Sequence, residues 1–197
     1  MQEYSNKFVL SSANLIDLLC YPRFSTSDYY SRLSELRSLN LKFVILEGNT
    51  LLKAIRILGK GSEGLVLKVQ NMNSNTMALK IRRIDSCRTD MKNEFEFYQR
   101  INRNHLGPKV YSYTRNALLM EFIEGLSARN WFLKSKMNLY AIKRIANRVF
   151  RLKNICLKIK KKTYQKASHR NLPISSPGLN FAITLSINEP ETRSPIS

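Results

Sequence analysis

No aspartate follows Asp90, and no acidic residue of either kind occurs between Glu124 and Glu189. That stretch cannot by itself build a carboxylate metal site, an acid/base pair or an acidic catalytic loop. Cysteine is scarce: Cys20, Cys87 and Cys156 are odd in number and far apart. They offer neither a disulfide framework nor a CxxC metal spacing, which points to a reducing compartment. The two histidines, His105 and His169, have no metal-ligand spacing to each other, so no metal site is expected from histidine and cysteine. No apolar run approaches the roughly 20 residues that span a bilayer. The N-terminal MQEYSNKFVLSSANLIDLLC has no basic start and no long apolar core, so it does not read as a signal peptide. The expectation is a cytoplasmic protein without a membrane span.

What remains is basic and reasonably apolar. The 197 residues carry 33 Lys and Arg against 14 Asp and Glu, a net charge of +19, with 43% hydrophobic residues. Such a chain has enough apolar side chains for a packed core, and its length suits one domain with an appendage or two small lobes. The charge is uneven: residues 1–124 hold 18 basic and 12 acidic side chains, whereas residues 125–197 hold 15 and 2.

Along the chain the patterning changes several times. Ser12 is placed to cap a short helix bearing Leu15, Ile16, Leu18 and Leu19, stopped at Tyr21-Pro22. A second helix is predicted from Ser27-Asp28, with Leu33, Leu36 and Leu39 on one face. From Lys42 to Phe122 strands dominate: Phe43 to Leu46, Leu52 to Leu58, Leu65 to Val69 and Met77 to Ile81, the last two joined across a loop at Asn71 to Asn75. Asp90 then opens a helix to about Arg103, ending before Gly107-Pro108, and two more strands follow at Val110 to Tyr113 and Ala117 to Phe122. Four strands, a helix and two strands suit an α+β lobe with an antiparallel sheet and one helix laid on it. Further on, Leu139, Ile142, Ile145, Val149, Leu152, Cys156 and Ile159 recur at steps of three and four, an amphipathic helix with Lys143, Arg144, Arg148 and Arg151 on other faces. It reads as core-facing with a solvated basic side, the alternative being a helix facing RNA or a membrane surface. Beyond Lys160 the pattern dissolves. The domains expected are a helical N-terminal extension at 1–50, a lobe at 51–125, a helical segment at 126–160 and a basic, poorly ordered tail at 161–197.

One constellation carries chemistry. Gly59-Lys60-Gly61-Ser62-Glu63-Gly64-Leu65-Val66 is a GxGxxGxV run. In a dinucleotide-binding fold such a run opens a helix, with an acidic residue about 20 positions on. Here a strand follows, and Lys80 stands in the next strand between apolar neighbours. A glycine-rich flap between strands, with a strand lysine beneath it, is the arrangement that holds nucleotide phosphates in protein kinases. Glycines let backbone N–H groups approach phosphate oxygens, and the lysine supplies positive charge. That lysine needs a carboxylate on the adjoining helix; Glu94 is the first choice and Glu96, facing elsewhere, the second.

Residues 51–125 resemble the N-lobe of a serine/threonine protein kinase, with details closest to the atypical archaeal RIO-like group. The residues that carry this are Leu58-Gly59-Lys60-Gly61, Ala78-Leu79-Lys80-Ile81-Arg82-Arg83 with Asp85, Leu106-Gly107-Pro108-Lys109-Val110 and Met120-Glu121-Phe122-Ile123-Glu124-Gly125; Tyr21-Pro22-Arg23 and the following helix resemble that group's N-terminal extension. The resemblance implies ATP with Mg2+ as ligands and phosphoryl transfer to a protein hydroxyl. The residues implied to bind ATP are Gly59, Gly61, Gly64, Val66, Ala78, Lys80, Glu94, Met120 bordering the adenine, and backbone groups of a hinge near Glu121 and Ile123.

The second lobe departs from that pattern. Ser168-His169-Arg170-Asn171-Leu172 and Asn180-Phe181-Ala182 echo the catalytic and metal loops with Asn171 and Asn180 where aspartates belong, and chance accounts for them better. An amide takes no proton and is a poor magnesium ligand. No catalytic residue is identifiable, and the expectation is a pseudokinase-like protein or a truncated or frame-shifted coding sequence with an incomplete helical C-lobe. A competing function is a basic binding protein, holding RNA or another polyanion through residues 129–170, with Tyr140, Phe150 and Tyr164 among the cations.

Overall fold

In the computed structural model, residues 7–10, 15–125 and 139–168 are described. The chain divides into two compact units, Met1–Phe122 and Ile123–Ser197.

The first unit is α+β. Its elements are β1 (Lys7–Phe8), α1 (Ile16–Leu19), α2 (Thr26–Arg37), β2 (Leu41–Ile45), β3 (Thr50–Leu52), β4 (Ile55–Ile57), β5 (Gly59–Lys60), β6 (Gly64–Asn71), β7 (Thr76–Arg82), α3 (Lys92–Asn102), β8 (Val110–Tyr113) and β9 (Ala117–Glu121). The main sheet runs β1-β2-β6-β7-β9-β8, with β5 also on β6. Every pairing is antiparallel.

Register divides the sheet into two faces, because side chains alternate along a strand. Leu67 lies opposite Leu79, which lies opposite Leu119. With Leu65, Val69, Ile81 and Ala117 they share one core with Leu18 and Leu19 of α1 and Leu33 and Leu36 of α2. The N-terminal helices therefore cover one face of the sheet. On the other face Val66 opposes Lys80, Lys68 opposes Ala78, and these meet Leu118 and Met120 of β9. A smaller core of Ala78, Met91, Leu118 and Met120, with Phe95 and Tyr98 of α3 against it, covers part of that face.

Local chemistry explains several element ends. Ser25, in extended conformation, caps α2 by accepting the Asp28 amide at 3.4 Å, so the helix begins slightly before the expected Ser27-Asp28. The Asp90 carboxylate accepts the Lys92 amide at 3.0 Å, and the first helical residue of α3 is Lys92 rather than Asp90. The expected cap Ser12 lies outside the described residues, and α1 is a single turn with no side-chain cap on Leu15. The expected strand Leu52 to Leu58 is corrected to a hairpin of β3 and β4: Lys53 takes φ +54°, and Leu52 pairs with Ile55.

Within the second unit, α4 (Leu139–Ser168) is one helix of 30 residues. It continues past Lys160 to Ser168, into the start of the segment for which the patterning predicts a poorly ordered tail; Lys, Gln and Ala are good helix formers even without an apolar stripe. Among its described side chains Ile142, Ile145 and Leu152 are half-buried and Val149, Phe150 and Leu157 exposed; Leu139, Cys156 and Ile159 of the expected apolar face lie outside the described side chains. Among the described residues no helix is long and apolar enough to cross a membrane.

Candidate functional site

The expected lysine and carboxylate meet. Lys80, on the partly covered face of β7, donates from Nζ to Glu94 Oε1 at 2.5 Å. Spacing along α3 decides which glutamate it is. Glu94, Phe97 and Ile101 form its buried side, at steps of three and four. Glu96 instead reaches Arg100 one turn on, at 3.6 Å, with both side chains well exposed. The Glu94 carboxylate is 2% exposed, and so deep a charge requires partners on both oxygens.

The second partner was not legible in the sequence. Arg88, from the irregular segment between β7 and α3, donates from Nη1 to Glu94 Oε2. Two cations thus share one carboxylate. Arg88 is itself anchored: its amide donates to Ser86 Oγ at 3.1 Å, and its carbonyl accepts from Arg82 Nη1 at 2.8 Å. Arg82 forks onto Asn116 Oδ1 through Nε and Nη2 at 3.1 and 2.6 Å. Glu35 of α2 in turn accepts both the Asn116 amide and its Nδ2, at 2.8 and 2.6 Å. A continuous polar chain therefore leads from α2 to the carboxylate that holds Lys80. Arg32 of α2 adds to it by donating from Nη1 to the carbonyls of Leu19 and Arg82. Burial, then the charge of Arg82, pushes the Arg32 pKa below its ordinary value.

The glycine-rich run forms the β5–β6 turn. The Gly61 amide donates to the Gly64 carbonyl at 2.8 Å, and the Glu63 carbonyl accepts from the Arg83 amide at 3.0 Å. A Cβ at Gly64 would stand 2.8 Å from the Ile81 carbonyl oxygen and 3.2 Å from Lys80 Cε. Only glycine lets this strand lie so close over the lysine stem. At Gly59 a Cβ would meet nothing within 4 Å, so packing within the protein does not demand that glycine. The turn is tied to the Arg88 segment, since Ser86 donates to the Glu63 carboxylate and Arg83 Nη1 to the Gly61 carbonyl. It also touches the N-terminal segment, where Lys60 and Arg83 lie over the Tyr21 ring at 4.9 and 5.1 Å.

Val66, Ala78 and Met120 lie on the same sheet face as Lys80. Lys68, opposite Ala78, also belongs to this face; it pairs with Glu47 at 2.5 Å and sits 4.7 Å from the Phe122 ring. The Glu121 amide is already engaged by the Lys109 carbonyl at 2.8 Å, and its carboxylate accepts the Lys109 amide at 2.9 Å. Ile123 begins the second unit. Asn171 and Asn180 lie outside the described residues. Tyr98, beside this cluster, has its phenol pushed up to about 12, by burial first and by the charge of Glu94 second.

Among the described residues the carboxylates do not gather into a Mg2+ site. Glu94, Glu47 and Glu63 are engaged by Lys80 and Arg88, by Lys68 and by Ser86, and Asp85 is held by Arg83 at 2.5 Å. Among the described residues no three His, Cys, Asp or Glu side chains converge to hold a metal.

No family model matches the sequence, and no curated protein matches it. Among solved structures the chain is similar to the Rio2 kinase–ADP/Mg2+–phosphoaspartate complex from Chaetomium thermophilum, at 17% identity and a TM-score of 0.42. The match covers 64% of this chain, which spans 40% of the length of that protein.

Proposed function

We propose that the first unit is an ATP-binding lobe of the kind found in RIO-like serine/threonine protein kinases. The observation that carries this reading is the Lys80–Glu94 pair at 2.5 Å beneath a glycine turn in which Gly64 leaves no room for a Cβ above the lysine. Phosphates would lie under Gly59, Gly61 and Gly64 and against Lys80. Adenine would lie among Val66, Ala78 and Met120, with hinge backbone near Glu121 and Ile123 as its hydrogen-bonding edge. A cytoplasmic setting and archaeal kinship belong to the same reading.

This chain itself transfers phosphate very weakly or not at all. No aspartate follows Asp90 to accept a hydroxyl proton, so the lobe acts as a nucleotide-binding module. The test is titration of the full chain with ATP, followed calorimetrically. Lys80→Met removes a charge-assisted contact of about 1.5–3 kcal/mol and weakens binding tenfold or more. Unchanged affinity in that variant refutes the reading, and Lys80-dependent phosphorylation of a protein substrate refutes the inactivity.

A second reading concerns α4 alone. Its 30 residues contain no acidic side chain, while Lys143, Arg144, Arg148, Arg151 and Lys153 are among its cations. We infer that this helix holds RNA or another polyanion through counterion release. Affinity for a single-stranded RNA would then fall steeply with salt; a salt-independent affinity refutes it.

A further inference from the structure

We infer that the site binds a nucleoside di- or triphosphate without a divalent cation, with Arg88 serving as a second phosphate ligand beside Lys80. This rests on the nucleotide reading above and departs from the Mg2+ dependence that reading would ordinarily carry.

Charge is the first argument. A lysine paired to one glutamate is neutral as a unit and leaves the phosphates' charge to a metal. Here Lys80 holds Oε1 of Glu94 and Arg88 holds Oε2, so two cations face one carboxylate and a positive charge is left over. Nearby, Glu47 and Asp85 are each paired with a cation of their own, while Glu63 accepts from the neutral Ser86 hydroxyl. Among the described residues no three His, Cys, Asp or Glu side chains converge to hold a metal, and the second cation takes over part of the neutralisation.

Geometry is the second argument. A guanidinium has five N–H donors in a rigid fork, so Arg88 can keep one on Glu94 and offer others to phosphate oxygens. Its side chain is 19% exposed, as is that of Lys80, so both cations are within reach of an incoming anion. The backbone of Arg88 is gripped on both sides, by Ser86 and by Arg82. Through Ser86 and Glu63 the same segment is tied to the glycine turn. Arg88 is thus a positioned cation rather than a loose surface one.

The experiment is ATP titration of the full 197-residue chain in excess EDTA and in excess MgCl2. Affinity in EDTA is expected to equal or exceed that in MgCl2. Arg88→Ala should lower the metal-free affinity about tenfold or more, and Arg88→Lys, which keeps the charge without the fork, should restore part of it. Folding of each variant is checked by its melting transition, and Arg88→Lys keeps the test open should Arg88→Ala not fold. Binding that appears only with Mg2+ overturns this inference and leaves the nucleotide reading standing. Absence of binding in both media overturns both. Metal-free affinity that is unchanged in Arg88→Ala, or that survives Lys80→Met because the basic helix takes up ATP, also overturns it.

Discussion

Replacing Glu94 by alanine should markedly destabilise the first unit. The carboxylate is 2% exposed and holds Lys80 on one oxygen and Arg88 on the other. Its loss leaves two largely buried cations without their carboxylate. Removing one partner of a buried pair costs about 3–5 kcal/mol. Lys80 and Arg88 each keep 19% of their side chains exposed, so partial rehydration lowers the expectation to about 2–4 kcal/mol. At a urea dependence of about 2 kcal/mol per molar, the midpoint falls by about 1–2 M. Near-ultraviolet circular dichroism suits the measurement, because Tyr98 and Tyr113 pack against Phe97 and Phe95 in this lobe. Removing all three charges together, as Lys80→Met, Arg88→Met and Glu94→Leu, should recover much of the loss, since no charge is then left unpaired. A Glu94→Ala loss below about 0.5 kcal/mol, the range of an exposed pair, refutes the buried three-membered cluster.

Three further outcomes follow from the same geometry. Gly64→Ala places a Cβ 2.8 Å from the Ile81 carbonyl oxygen and should cost about 1–3 kcal/mol, whereas Gly59→Ala meets nothing within 4 Å and should change stability by less than about 0.5 kcal/mol; equal effects in urea melts would contradict the turn geometry. Glu35→Ala strips the acceptors from the buried Asn116 amide and Nδ2 and should cost about 1–3 kcal/mol, with Glu35→Gln milder; a neutral melt for Glu35→Ala would break the link from α2 to Arg82. Tyr98 should give alkaline instability: its folded pKa, about 12, lies above the ordinary 10.0, so its stabilisation is complete below pH 10 and is lost as pH rises towards 12. Tyr98→Phe should flatten that part of the pH profile, and an unchanged profile would assign the alkaline loss to other groups.

Much of the lobe was legible because its signals are local. Alternation of apolar residues in Leu65 to Val69 and Met77 to Ile81 located β6 and β7, and the asparagine-rich loop joined them. The run from Gly59 to Gly64, with Lys80 in the following strand, located the glycine turn and the lysine beside it through spacing. The step from Glu94 to Phe97 and Ile101 identified the glutamate that turns inward, because helical period is itself a statement about which face is buried.

Other features depended on contacts that no local pattern encodes. Leu52 to Leu58 read as one strand because a turn at Lys53, with φ +54°, involves neither glycine nor proline. The helix past Lys160 had no apolar stripe to announce it. Arg88 sits in a segment without periodicity, and its role appears only when β7 and α3 bring Lys80, Glu94 and Arg88 together. Glu35 and Asn116 are 81 residues apart in the chain, yet they set the acceptor for Arg82. The sequence by itself determined the strand pattern, the glycine turn, the lysine and its carboxylate, because each follows from local steric and periodic rules. Only the tertiary structure decided that the carboxylate carries a second cation and is wired to α2, because hydrogen bonds between distant segments exist only once burial has removed water as their competing partner.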